Sequence, residues 1–315
     1  MKNGLEYAAV MGLRMLVTAL PRPVSLRVGS MLGRLFYYFH GRRRELAIEN
    51  LRAAFPARTD VECRAILRST FGHFGRHIVE LLNFAEMSPS EMTHWLEVEG
   101  GERVEQALAR DKGVMFYSGH FGYWELLVMG HAVFFTPIVM VARTLDNPLL
   151  ERLIEKIRTR VGTQVLPRQG AIRGLLRALL DKAPVALMID QHMQDRSAVN
   201  VEFFDRPAAT TSAVAALALR TGVPVIPVFA LPLPGGRYRL VYETPIEPPA
   251  DDDPDPVRTY TQRCTDVLEM YVRRYPDLWL WMHRRWRPVA AEPSAPALTK
   301  VETQCETATR EDRFS

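Results

Sequence analysis

The sequence predicts an α/β protein: a mixed, mostly parallel sheet flanked by helices, preceded by N-terminal membrane-associated helices. Three observations predict it. Short apolar runs of strand length, such as Val114 to Tyr117 and Val185 to Ile189, alternate with longer helical patterns. Polar residues stand just beyond several of those runs, at the strand ends where α/β sheets bind ligands. A length of 315 residues with 47% hydrophobic and 24% charged content supplies apolar side chains for one large core.

Leu5 to Leu20 is apolar but interrupted by Glu6 and Arg14. On a helical wheel Asn3, Glu6, Arg14 and Thr18 share an arc of about 120°, the pattern of an amphipathic helix. A second apolar segment, Leu26 to Phe39, runs into His40-Gly41-Arg42-Arg43-Arg44. Apolar helices abutting arginines suit the cytoplasmic face of a membrane, where each cation near an anionic surface adds about 1 kcal/mol. The charges argue against a signal peptide, and two ordinary core helices are the other reading. The expected organisation is therefore a membrane-associated segment over 1–44, a catalytic domain over 45–289 and a disordered Ala-, Pro-, Glu- and Thr-rich tail over 290–315.

Within the domain, Glu45 to Phe55 reads as a helix closed by Pro56, and Val61 to Phe84 as another. His73 and His77 on the second have zinc-pair spacing but lack the metalloprotease Glu, so packed or hydrogen-bonded histidines are expected. Strands follow at Val114 to Tyr117, Ile138 to Val141, Gln164 to Leu166, Val185 to Ile189, Val225 to Leu231 and Tyr238 to Glu243. Helices at Asn147 to Arg160, Ala171 to Asp181, Thr211 to Thr221 and Pro256 to Arg274 alternate with them.

Of the 40 basic residues only Lys2, Lys112, Lys156, Lys182 and Lys300 are lysines, leaving a formal charge of +4 carried by arginine. Arginine forks suit phosphate or carboxylate ligands, although a GC-rich genome produces the same bias. Cys63, Cys264 and Cys305 are scattered and odd in number, which points to a reducing compartment without structural zinc.

The densest chemistry lies in Ser118-Gly119-His120-Phe121-Gly122-Tyr123-Trp124-Glu125, where a strand turns into a helix. His120 and Glu125 are about 140° apart on one ideal helix. With His120 in the turn and Glu125 in the first helical turn, the carboxylate can fold back onto the imidazole and poise it as a general base. The same spacing recurs at His40 with Glu45 and at His94 with Glu99, so only the strand-to-turn setting distinguishes His120. The alternative is that His120 merely caps the helix with its imidazole while Glu125 pairs with a surface arginine.

Arg143 and Asp190 also follow apolar runs, so they and His120 are expected at one mouth. Arg143 can bind a phosphate or an oxyanion there, or pair with Asp146 on the surface. Asp190 with His192 is a poor metal pattern. The loop Phe203 to Thr211 either closes over an acyl chain or packs. Trp279 to Pro288 mixes aromatic and cationic residues, as lipid headgroup interfaces and nucleic-acid binders do.

Taken together, Glu49-Asn50-Leu51 through Pro56, His120 through Glu125, Arg143 through Pro148, Asp190-Gln191, Phe203 through Ala208, Gly222 through Pro227 and Trp281 through Trp286 resemble the lipid A biosynthesis acyltransferases, which add secondary lauroyl or myristoyl chains to lipid A precursors. The resemblance covers nearly all of the chain to Pro288 and implies a glycerol-phosphate acyltransferase-like fold. It implies His120 as the base that deprotonates a hydroxyl of an acyl group already on the acceptor, with Glu125 orienting it. Arg143 would bind acceptor phosphate or oxyanion, Asp190 would lie near the mouth, and Arg206 joins them as a substrate-binding candidate. The resemblance further implies an acyl thioester donor, usually on acyl carrier protein, a glycolipid acceptor, and transfer that needs neither metal nor cofactor. The implied place is the cytoplasmic face of the inner membrane. One departure is the first helix, where Arg14 and Glu6 stand in place of a plainer anchor.

Three other readings are separable. A phosphatidylinositol mannoside acyltransferase shares the motif, although its last position is more often Asp than Glu. A metal-dependent hydrolase using His120, Glu125, Asp190 and His192 would lose activity to chelators. A basic nucleic-acid binder would be salt-sensitive and indifferent to His120, and nothing about the His120 turn favours it, so no nucleic-acid partner is expected. No Ser or Cys sits in a nucleophile-elbow pattern, so direct transfer without an acyl-enzyme is expected.

Overall fold

The structure is a computed structural model that describes residues 2–194 and 198–287. The expected 290–315 tail lies outside the described residues. Helices α1 (Lys2–Ala19), α2 (Arg22–Phe39), α3 (Gly41–Ala54) and α4 (Asp60–Phe84) come first. They are followed by α5 (Pro89–Trp95), β1 (Leu96–Glu99) and α6 (Gly101–Leu108), a stretch the sequence reading left unassigned. Alternation then sets in: β2 (Val114–Ser118), α7 (Trp124–Phe134), β3 (Val139–Ala142), α8 (Pro148–Thr159), β4 (Gln164–Pro167), α9 (Ala171–Leu180) and β5 (Pro184–Met188). A hairpin of β6 (Ala198–Glu202) and β7 (Pro207–Thr211) precedes α10 (Ala213–Thr221), β8 (Val225–Pro232), β9 (Tyr238–Tyr242) and α11 (Pro256–Arg274).

Local chemistry sets many boundaries. Capping boxes of Thr59 with Glu62 and Ser88 with Glu91 open α4 and α5, and Asn147 caps α8 just ahead of Pro148. Seven strands form one sheet in the order β1-β9-β8-β2-β5-β3-β4, parallel except where β8 meets β9, as expected of a mixed, mostly parallel sheet. Period-two alternation sorts each strand between two cores. Val114 and Phe116 of β2 face the α7 side with Leu126 and Leu240, whereas Met115 and Tyr117 face the opposite side with Leu175, Leu268 and Trp279.

The N-terminal helices pack on α4. A Cβ on Gly33 of α2 would come within 2.0 Å of the Phe71 carbonyl oxygen, and one on Gly75 within 2.0 Å of the Gly29 carbonyl, so the two helix backbones touch where only glycine fits. Leu5, Met15 and Leu16 of α1 and Met31, Leu35, Phe36 and Phe39 of α2 remain exposed. Among the described residues no helix is long and apolar enough to cross a membrane.

Candidate active site

β2 and β5 are parallel neighbours with Ser118 opposite Met188. His120 and Asp190 each stand two residues beyond that matched pair, which brings them side by side at the carboxyl edge of the sheet. Gly119 makes room, because a Cβ there would meet the Asp190 carboxyl at 3.2 Å and Leu268 at 2.9 Å. Gly122 completes the turn at φ +58°, with its missing Cβ only 2.1 Å from the Ala230 carbonyl oxygen.

The His120 Nδ1–H donates to Asp190 Oδ1 at 2.8 Å, and the His120 backbone N–H donates to Asp190 Oδ2 at 2.7 Å. The Trp279 indole N–H also donates to Asp190 Oδ2, at 2.9 Å. A carboxylate only accepts, so the neutral imidazole carries its proton on Nδ1 and keeps a lone pair on Nε2, which the Gln191 amide faces at 3.4 Å. Asp190 is 3% exposed while the His120 side chain keeps 23%, so the imidazole is the reachable end of the pair.

Burial acts to raise the Asp190 pKa, but the His120 charge and the hydrogen bonds from His120 and Trp279 outweigh it and hold the carboxyl down at about 2. For His120, burial acts downward, and the charge and hydrogen bond of Asp190, helped by Glu125, carry the pKa above its ordinary value. The imidazolium is thereby stabilised once a proton arrives.

The expected contact of Glu125 with His120 is not made. Glu125 lies in the first turn of α7, as anticipated, but its carboxylate takes a two-pronged pair from Arg158 of α8, at 3.0 Å from Nε and 2.6 Å from Nη2. Burial lowers the Arg158 pKa, but the Glu125 hydrogen bond and charge outweigh it and raise it. A planar guanidinium fork satisfies both carboxylate oxygens at once, which no single imidazole nitrogen can do. Of the alternative reading only an arginine partner for Glu125 is observed: the pair is buried and not at the surface, and His120 bonds Asp190 instead of capping α7.

Trp124 stands edge-on to His120 with ring centroids 5.4 Å apart, and His77 stacks on its other side at 4.0 Å. Burial, with the His120 charge, pushes His77 down to about 3, so it is a neutral ring. His73 donates from Nε2 to the Gly122 carbonyl oxygen at 3.0 Å and so braces the turn. Among the described residues no group of three or more His, Cys, Asp or Glu is arranged to hold a metal.

Arg143 follows β3 on the same sheet edge, but its guanidinium is 74% exposed and bonds Asp146 at 2.9 Å. Arg206 is exposed and lies 5.2 Å over the Trp286 ring. Neither joins the His120–Asp190 pair. Phe203 and Phe204 are 0% and 2% exposed and pack on Trp279, Trp281 and Trp286, so this loop is part of the core and not a lid. Trp279 and Trp281 are likewise buried, which overturns their reading as headgroup-interface residues.

Sequence reasoning missed three supports. Trp279 holds Asp190, Arg158 holds Glu125, and Asn50 of α3 donates to the Trp281 and His283 carbonyls at 2.8 Å each, tying the C-terminal segment down. That segment clamps the His120 turn through Leu280 N–H to the His120 carbonyl at 3.1 Å and Gly122 N–H to the Leu278 carbonyl at 2.9 Å. Trp279 inside the apolar run Leu278 to Met282 was an available signal, since its indole N–H must find a partner once buried, whereas Asn50 sits between Glu49 and Arg52 in a charged helix and gave none.

Beside the pair, an apolar pocket of about 40 Å³ runs between α7 and the sheet, lined by Trp124, Leu127, Val128, Ile138, Met140 and Met188. That is little more than one water's share of volume, so a hydrocarbon chain enters it only as α7 or Trp124 shifts.

A model of the bacterial lipid A biosynthesis acyltransferase family matches residues 3–288. The chain is similar to the lipid A biosynthesis lauroyltransferase of Escherichia coli (strain K12), with 29% identity covering 88% of this chain and 89% of that protein. It is similar to the palmitoleoyltransferase of the same organism at 27% identity, covering 89% and 90%. It also resembles the phosphatidylinositol mannoside acyltransferase of Mycolicibacterium smegmatis at 25% identity, covering 70% and 72%.

Proposed function

The chain belongs to the bacterial lipid A biosynthesis acyltransferase family, and from that premise we propose that this O-acyltransferase moves a fatty acyl group from an acyl thioester on acyl carrier protein to a hydroxyl of a lipid A precursor. The observation that carries the mechanism is the half-buried imidazole of His120, with a buried carboxylate on its Nδ1 and an Nε2 lone pair that meets only the Gln191 amide, at 3.4 Å.

His120 Nε2 takes the proton of the acceptor hydroxyl as its oxygen attacks the thioester carbonyl. The negative charge of Asp190 stabilises the imidazolium formed, and Glu125, held by Arg158, adds its charge from farther away. Collapse of the tetrahedral intermediate breaks the carbon–sulfur bond, and the imidazolium returns its proton to the leaving thiolate. No covalent acyl-enzyme is involved. The apolar pocket beside Trp124 takes the acyl chain, and the exposed cations Arg143 and Arg206 are available to acceptor phosphate. Residues 1–44 dock the domain on the cytoplasmic face of the inner membrane through their exposed apolar and basic side chains.

The test is transfer of a radiolabelled acyl group from acyl carrier protein to a lipid A precursor in membranes containing the wild type or His120→Ala. General-base help is worth roughly 10² to 10⁴-fold, so the variant is expected to lose at least that while remaining folded. A wild type that leaves this acceptor untouched but acylates another glycolipid, such as a phosphatidylinositol mannoside, overturns the acceptor assignment. A labelled acyl group found on the protein at steady state overturns direct transfer.

A further inference from the structure

An open recess of about 400 Å³ lies between α2 and α4, lined by Leu26, Arg27, Ser30, Met31, Arg34 and Arg76. Arg27, Ser30 and Arg34 sit at i, i+3 and i+7 and share one face of α2. The glycine contact that lets α2 and α4 touch sets this face against Arg76, whose Nη1 donates to Ser30 Oγ at 2.9 Å. Arg27 and Arg34 are exposed and Arg76 half-buried, and among the described residues no carboxylate forms an ion pair with any of the three, whereas Arg22 on the same helix as Arg27 pairs with Glu80.

Three unpaired guanidinium groups around one recess repel one another, and a multivalent anion reverses that cost. Planar forks converging on one volume fit a phosphate ester. The remaining lining, Leu26 and Met31, continues into exposed Leu35 and Phe36 on the same helix, so the recess presents cations beside apolar surface. The phosphate it suits is one borne by a lipid. Its place is suited to an acceptor as well: Arg76 lies beside the Tyr123 hydroxyl, and the next residue, His77, stacks on Trp124, whose far edge meets His120.

We infer that Arg27, Arg34 and Arg76 form a binding site for a lipid-borne phosphate, separate from Arg143 and Arg206, that holds an anionic lipid next to His120. The inference rests on the proposed acyl transfer only for the acceptor as the source of that phosphate. A bilayer phospholipid headgroup offers the same chemistry.

The experiment uses the full chain and the double variant Arg27→Gln/Arg34→Gln, with Arg27→Lys/Arg34→Lys to restore charge. Acyl transfer is measured in phosphatidylcholine vesicles with a phosphorylated lipid A precursor and with the same lipid after phosphatase treatment. Flotation is measured with phosphatidylcholine vesicles with and without phosphatidylglycerol. If the acceptor supplies the phosphate, the glutamine variant shrinks the ratio of kcat/KM for phosphorylated over dephosphorylated acceptor by about tenfold or more, and the lysine variant recovers much of it. If the bilayer supplies it, that ratio holds and the glutamine variant loses its preference for phosphatidylglycerol vesicles. A misfolded variant lowers both acceptors equally and leaves the ratio unchanged. Unchanged ratio together with unchanged vesicle preference overturns the site. Should the wild type transfer no acyl group at all, the proposed reaction falls, and the flotation arm alone decides the site.

Discussion

Two buried carboxylates flank the His120 turn, and they have opposite uses. Glu125 is fixed by Arg158, a partner that never gives up its charge, so the pair ties α7 to α8 and reaches His120 only through its field. Asp190 is fixed by His120, by the backbone N–H of that residue and by Trp279, and of these only the imidazole titrates near neutrality. The chemistry of the acid is the same on both sides of the turn. What differs is whether the partner can exchange a proton with solvent or substrate, and only the partner of Asp190 can.

The sharpest way to break this comparison is Asp190→Asn. The amide cannot favour the imidazolium, and its NH₂ must face an N–H that then finds no acceptor, so transfer is expected to fall by roughly 10² to 10⁴-fold. The pH profile distinguishes this from simple disorder. If His120 is the base, kcat/KM follows the neutral imidazole of free enzyme; with the wild-type His120 pKa raised, its rising limb is expected to extend above the ordinary imidazole value of about 6.5 before it levels off. In Asp190→Asn that limb moves to lower pH. Stability follows the same linkage. The Asp190 contribution is full above about pH 4 and disappears as pH falls through about 2, whereas the His120 contribution is full below about pH 6.5 and declines as pH rises through its raised folded value. Acid titration of unfolding should therefore be shallower in the variant between those two lower limits.

On the other carboxylate, Arg158→Met leaves Glu125 buried without its partner and is expected to cost about 3–5 kcal/mol in denaturant unfolding, with a smaller loss of rate than Asp190→Asn. Glu125→Gln separates the two roles. If it abolished transfer in a protein of unchanged stability, Glu125 would be a direct chemical partner and the contrast between the two acids would collapse. The smallest effect belongs to Trp279→Phe, which keeps the packing and removes one hydrogen bond to the carboxylate. About 1.5–3 kcal/mol of stability is expected to go, with the Asp190 pKa rising and the acid limb of unfolding following it upward.

The sequence made much of this legible. Strand-length apolar runs and helical periods located β2, β5 and α4 within a residue or two, because burial on both sheet faces leaves an unmistakable pattern in Val114–Ser118 and Pro184–Met188. His120 stood out as the histidine that ends such a strand between glycines. Its partner did not, since Glu125 is five residues away in the chain and Asp190 is 70 residues away. The aromatic residues misled for a related reason. Trp279, Trp281, Phe203 and Phe204 have the composition of an interface, and composition does not say which side of a residue faces water. Arg143 and Arg206 showed the converse, since cations at strand ends and in loops need not turn inward.

By itself, then, the sequence determined the alternation of elements, the glycines that let a histidine leave a strand, and the family to which the chain belongs, all of which are local in periodicity or cumulative in motif. Only the tertiary structure decided which acid the histidine meets. That choice depends on β2 and β5 lying side by side in one register, with Ser118 against Met188, and on α8 offering Arg158 to the nearer carboxylate. Neighbour order in a parallel sheet is set by how crossover helices pack over its faces, and no spacing along the chain records it.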